Sequence, residues 1–186
     1  MRDLVSHLSK IVANFVMPDT DIPGKIEFLR SLSHFMRWIR REGEEYRGAV
    51  IGNEKTMKAV CKVLSESPGV KVLEISARDV VTVDSEWKRY LGFVEEADGG
   101  DGIYVLCVRG TSFLLNPVVG TDFKSNARAM NLKTLMLLGK VVVNGKPKNV
   151  SPTTFVIAEK DWADDKSLDD GRFFLARMKE TALDTE

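Results

Sequence analysis

A chain of 186 residues, 44% apolar and 29% charged, suits a single globular domain over residues 1–186 with a core large enough to need no staples. Its 27 basic and 27 acidic side chains cancel, which removes any global electrostatic drive toward nucleic acid or a membrane surface. No apolar run reaches membrane-spanning length, the N-terminus does not read as a signal peptide, and Cys61 and Cys107 in apolar surroundings read as buried free thiols of an intracellular protein.

Leu4, Leu8, Ile11, Val12 and Phe15 recur at helical spacing up to Pro18. Asp21 caps a second helix with Pro23 in its first turn and Phe28, Leu32, Phe35 and Ile39 along its stripe; it ends at Gly43. Gly48 to Gly52 reads as a short buried strand, and Asn53 caps a helix facing inward through Met57, Val60, Cys61 and Leu64. After the turn Pro68-Gly69, Val70 to Ser76 is a strand, and Asp84 to Ala97 is a helix built around Trp87, Tyr90, Leu91 and Val94. The glycine-rich loop from Asp98 to Gly102 leads into Ile103 to Arg109, the clearest central strand, with Phe113 to Val119 expected to pair with it. Asn126 to Gly139 reads as a helix with Met130, Leu132, Leu135, Met136 and Leu138 mostly inward. Val141 to Val143 and the turn Asn144-Gly145 suggest a hairpin, Thr153 to Glu159 a strand, Asp164 to Lys166 a loop, and Leu168 to Ala182 a closing helix. Helices first, then strands separated by helices, predict an α/β fold with a mixed, twisted sheet flanked by helices.

Candidate chemistry is sparse. Gly52-Asn53-Glu54-Lys55-Thr56 sits where a phosphate loop would, between strand and helix, but it is too short to wrap phosphates in backbone N–H groups and Glu54 has the wrong charge. Asp101 with Asp122 and Lys124 loosely resembles the spacing of a restriction-type two-metal nuclease, set against the plainer reading of solvated loop charges. His34, the one histidine in a strong element, falls on the polar face of its helix, and no Cys/His cluster has zinc spacing. Basic residues gather at Arg37, Arg40 and Arg41 and again at Lys140, Lys146 and Lys148; a solvated face is the default there and weak RNA contact the alternative.

The element order and four strings resemble the N-terminal endonuclease domain of the orthomyxovirus polymerase acidic subunit, which cuts capped RNA to prime viral transcription. The strings are the helix bearing His34, Gly52-Asn53-Glu54-Lys55-Thr56-Met57 opening the next helix, the later strand-strand-helix-strand order, and Leu168-Asp169-Asp170 leading toward Arg172, Arg177 and Met178. The resemblance implies a nuclease-like core of PD-(D/E)XK type, the other viral polymerase subunits as partners, RNA at most weakly, no membrane, and the host cell nucleus. It also implies a degenerate site. Ile51 and Val105 (or Leu106) stand where that family carries acidic metal ligands, leaving His34, Glu74 and Lys133 as remnants. Hydrocarbon side chains cannot replace the hydration of a divalent ion, so no manganese or magnesium is expected unless the site is active. In this the chain is most similar to thogotovirus-type members, and its implied role is structural, in polymerase assembly, without intrinsic cleavage.

A second reading is a degenerate nucleotide-binding domain of AAA+ type, serving as a non-hydrolysing assembly module. In it Ile103–Arg109 takes the place of the metal-binding acidic strand and Thr153–Glu159 that of the sensor strand. Topology separates the two: a parallel five-stranded sheet belongs to the AAA+ reading, a mixed sheet with a cleft beside His34 to the nuclease-like one. A third reading keeps nuclease activity, with Asp101, Asp122 and Lys124 as its centre.

Overall fold

Every residue of Ile103–Val108 is buried, so this strand is covered on both faces, as its unbroken apolar sequence requires. The structure is a computed structural model, and it describes residues 48–51, 58, 61–62, 64–66, 69–115, 122–159 and 179–180. In chain order the elements are β1 (Gly48–Ile51), β2 (Val70–Ser76), α1 (Ala77–Thr82), α2 (Asp84–Ala97), β3 (Ile103–Arg109), α3 (Ser112–Leu115), α4 (Phe123–Leu138), β4 (Lys140–Val143), β5 (Lys146–Asn149), β6 (Thr154–Glu159) and β7 (Lys179–Glu180). Residues 58, 61, 62, 64 and 65 are also helical. The two expected N-terminal helices with His34, the string Gly52–Met57, the loop Asp164–Lys166 and most of the expected closing helix lie outside the described residues.

Among the described residues the main sheet has five strands in the order β2-β3-β6-β1-β7, and every pair in it is parallel. The expected α/β class holds, but among the described residues the main sheet is parallel rather than mixed. The antiparallel pair among the described residues, β4 with β5, forms a separate hairpin. Because β1 lies inside the sheet, the chain runs one way from β1 to β2 and the other way from β2 through β3 to β6. Parallel crossovers are right-handed, so reversing direction along the sheet moves the connecting helices to the opposite face.

The packing agrees. On the first face Leu73 and Ile75 of β2, Tyr104, Leu106 and Val108 of β3, and Val156 and Ala158 of β6 join one core with residues of α1, α2 and α4. Alternation sends Ile103, Val105 and Cys107 to the second face, where Cys107 meets Cys61 of the helical residues that follow β1. Both cysteines are buried free thiols, as expected.

α2 begins and ends where its sequence indicates, but its buried stripe is Tyr90, Phe93, Val94 and Ala97, with Trp87 and Leu91 half-buried beside it. Tyr90 donates to Asn131 Oδ1 (2.9 Å), tying α2 to α4, and burial pushes its phenol pKa upward. α4 starts earlier than Asn126. Asp122 accepts hydrogen bonds from Ser125 N and Ser125 Oγ, both 2.8 Å, and so caps the first turn; Gly139 ends the helix in the left-handed conformation. Two of its residues expected inside, Met130 and Leu138, face outward.

Two further expectations are corrected. Residues 112–115 are a short helix rather than a strand pairing with β3, and Lys179–Glu180, expected within the closing helix, pairs with β1 as β7. In the β4–β5 hairpin Asn144 and Gly145 both take positive φ, the turn their sequence predicts. Among the described residues no helix is long and apolar enough to cross a membrane.

Candidate functional site at the strand ends

In an open parallel sheet, ligands bind beyond the carboxyl ends of adjacent strands whose connections leave in opposite directions. Here those strands are β1, which departs toward β2, and β6, which departs toward β7. Their last residues, Ile51 and Glu159, are register partners. β3 lies beside β6 and ends at Arg109, while β2 beyond it ends at Ser76, the register partner of Arg109.

Strand alternation puts Glu74, Arg109 and Glu159 on the same, second, face of the sheet at this edge. Arg109 Nε lies 3.0 Å from Glu74 Oε1. The chain then turns at Gly110, whose φ of 65° suits glycine, and enters α3 through hydrogen bonds from Phe113 N to Gly110 O and Leu114 N to Thr111 O. That turn aims Gly110 N at Glu159 Oε2, 3.1 Å away. Thr111, fully buried, donates its hydroxyl to the Glu159 backbone carbonyl. The edge thus holds two carboxylates and one guanidinium: Arg109 is ion-paired with Glu74, and Glu159 takes the Gly110 N–H. A phosphate would have to displace Glu159 from the Gly110 N–H and enter beside its carboxylate.

The sequence-derived candidates separate in space. Glu74 is at this edge, as the ion-pair partner of Arg109. Lys133 belongs to α4, which packs on the first face through Leu132, Leu135 and Met136, so the sheet stands between Lys133 and Glu74. Val105 is fully buried in mid-strand, flanked by Val72 and Phe155. Ile51 ends β1 at the crevice, and His34 lies outside the described residues.

The set Asp101, Asp122 and Lys124 does not converge either. Lys124 Nζ bonds Asp84 Oδ1 (2.7 Å) at the start of α2, whereas Asp101 follows the end of that helix. The intervening 14 residues span about 20 Å, too far for carboxylates sharing a metal pair. Asp122 is occupied by its cap, and the Ser125 hydrogen bonds hold its carboxyl below the usual carboxylate range. Asp122→Ala is expected to lower the thermal midpoint of the chain through loss of that cap, read by circular dichroism. Among the described residues no group of three or more His, Cys, Asp or Glu side chains is placed to hold a metal ion.

Of the basic cluster on the hairpin, Lys148 bonds Glu95 (2.5 Å) and Asp98 (3.1 Å), so its charge is balanced inside the fold, while Lys140 and Lys146 are exposed. Arg109 and Glu159 were not among the sequence candidates. The signal that could have found them is a charged residue closing an otherwise apolar strand of a parallel sheet. No protein-family model and no curated protein matches this chain.

Proposed function

We propose that the domain is a non-hydrolysing assembly module on a nucleotide-binding scaffold of AAA+ type, with its phosphate site closed by its own side chains. What supports the reading is the wholly parallel order β2-β3-β6-β1-β7, the topology that separates it from a nuclease-like mixed sheet. The chemistry of the strand ends agrees. Arg109 closes β3 where hydrolysis needs an acidic metal-binding residue, and Glu159 takes the Gly110 N–H that an incoming anion would use. Positions 52–56 are also too short and wrongly charged for a phosphate loop. The alternative, a viral polymerase subunit's endonuclease-like domain, gains no support from Glu74 and Lys133 on opposite faces of the sheet.

The test is a thermal melt and a phosphate-release assay on the full chain with ATP and magnesium. No release above the blank and no concentration-dependent rise in Tm are expected. Nucleotide at about a hundred times its Kd would add roughly 2.7 kcal/mol to stability, a shift a melt resolves readily. Saturable stabilisation by ATP, or its hydrolysis, would refute the closed site. Manganese-dependent cleavage of single-stranded RNA that disappears in His34→Ala would replace the proposal with the nuclease-like reading.

A further inference from the structure

Cys61 and Cys107 are the chain's two cysteines, and both are buried, the first 4% exposed and the second 0%. Their meeting follows from the fold. Cys107 stands near the end of β3 on the second face, between its register partners Glu74 of β2 and Ile157 of β6. Cys61 belongs to the helical residues that follow β1. It precedes the buried Leu64 by three positions, so both point inward, while Lys58 and Lys62 face solvent. A right-handed crossover from β1 to β2 lays this helix on that same second face. There the two thiols hydrogen-bond to each other. The bond raises the pKa of Cys107, so Cys107 keeps its proton and donates it, and the Cys61 sulfur accepts.

Packing alone does not call for sulfur here, because a buried free cysteine behaves as a small hydrophobe. What the pair adds is a bond it can form. We propose that Cys61 and Cys107 are a peroxide-responsive modification site whose oxidised form is a disulfide joining β3 to the helix after β1. The Cys61 sulfur, the less enclosed of the two, meets the oxidant when the helix opens transiently from the sheet. It attacks one oxygen of hydrogen peroxide, the O–O bond breaks, and the second oxygen leaves as water with the Cys61 proton. Cys61 is then a sulfenic acid. On closure the Cys107 sulfur attacks the Cys61 sulfur, the S–O bond breaks, and the hydroxyl leaves as a second water with the Cys107 proton. Two thiols and one peroxide give one disulfide and two waters; the sulfurs lose the two electrons that the peroxide gains. The bond closes a long loop containing all of β2, α1 and α2, so it restricts the unfolded chain and stabilises the fold. The inference does not rest on the phosphate-site reading, since neither sulfur takes part in it.

The test treats the full chain with hydrogen peroxide in the absence of denaturant and reads intact mass, non-reducing peptide maps and Tm. The expected product is a monomer lighter by two hydrogens, with the Cys61 and Cys107 peptides crosslinked. Its Tm should lie at least about 5 °C above that of the reduced chain, and dithiothreitol should restore both mass and Tm. Cys61→Ala and Cys107→Ala should each abolish the peroxide-dependent rise. Should either variant fail to fold, the comparison of oxidised with reduced parent still decides. Sulfinic or sulfonic acid in place of the disulfide, disulfides only between chains, or a crosslink that forms only in urea refutes the proposal. So does a crosslink that leaves Tm unchanged or lowers it, or a folded chain whose thiols survive peroxide that fully oxidises the urea-unfolded chain.

Discussion

Leu106→Ala is expected to cost about 2–5 kcal/mol of folding stability, a large share of the roughly 5–15 kcal/mol typical of a domain. Leu106 is fully buried at the middle of β3, with Leu73 of β2 on one side and Val156 of β6 on the other, and all three face the first core. Truncation removes the transfer energy of the lost carbons and leaves a cavity that three neighbouring strands, locked in register, cannot collapse to fill. Urea denaturation measures the loss as a fall in midpoint with the slope unchanged. Leu106→Val, which keeps most of the apolar volume and introduces a β-branched side chain suited to a strand, should cost clearly less. Phe123→Ala provides the contrast: a larger side chain is deleted, but from the surface, and little stability should go with it. If the two alanine variants lost the same amount, β3 would not be the centre of this core.

The second large effect is expected at Arg128, a buried guanidinium on the inward side of α4. It donates to the Val81 carbonyl (3.2 Å), reaches Asp84 Oδ1 (2.5 Å), and lies over the Trp87 ring at 5.3 Å from its centroid. One side chain therefore joins α1, α2 and α4. Arg128→Ala strands a buried carbonyl and removes a cation from an aromatic face, together about 2–4 kcal/mol. Arg128→Lys should recover little, because one ammonium cannot hold two acceptors and stack on a ring in the same geometry.

The same junction makes stability depend on acid. Hydrogen bonds from Lys124 and then Arg128 pull the Asp84 carboxyl down from 3.8 to about 2. A carboxylate held below its unfolded value stabilises the fold fully above that value, and the contribution disappears as pH falls through the folded one. Asp84→Asn should therefore melt below the parent at neutral pH, and the gap should narrow between about pH 4 and pH 2. A gap that stayed constant across that range would show that the charge of Asp84 is not what the junction uses.

Much of the fold was legible in the sequence, and the failures have physical causes. β2, β3 and α2 begin and end where expected, because a burial period interrupted by Gly, Pro or a polar cluster is local information. α1 was missed: its six residues end in Val80, Val81 and Thr82, β-branched side chains that favour strands until tertiary burial overrides them. Strand order was harder still. Nothing local in Gly48–Ile51 says that it sits between β6 and β7, and a mixed sheet was expected although the unbroken apolar run of β3 already suited a parallel one. Met130 and Leu138 were placed inside because hydrophobicity alone does not say which side of a helix faces the core.

The candidate site was legible only in part. Glu74 was singled out as a remnant of the metal site that the resemblance implies, yet its place follows from Arg109, its ion-pair partner across the β2–β3 pair. Glu159 matters through a backbone N–H donated by Gly110, 49 positions away in the chain. Such a contact is made by the crossing of strands, and spacing along the sequence does not encode it.

Cys61 and Cys107 carry a last consequence. Their thiols touch in the seam between β3 and the helical layer after β1, and the contact, together with burial, raises the Cys107 pKa well above that of an ordinary thiol. An alkylating reagent can reach this pair only while the seam is parted. The chain thus contains its own chemical clock, in which each modified sulfur records one separation of the layers, without any label having to be introduced.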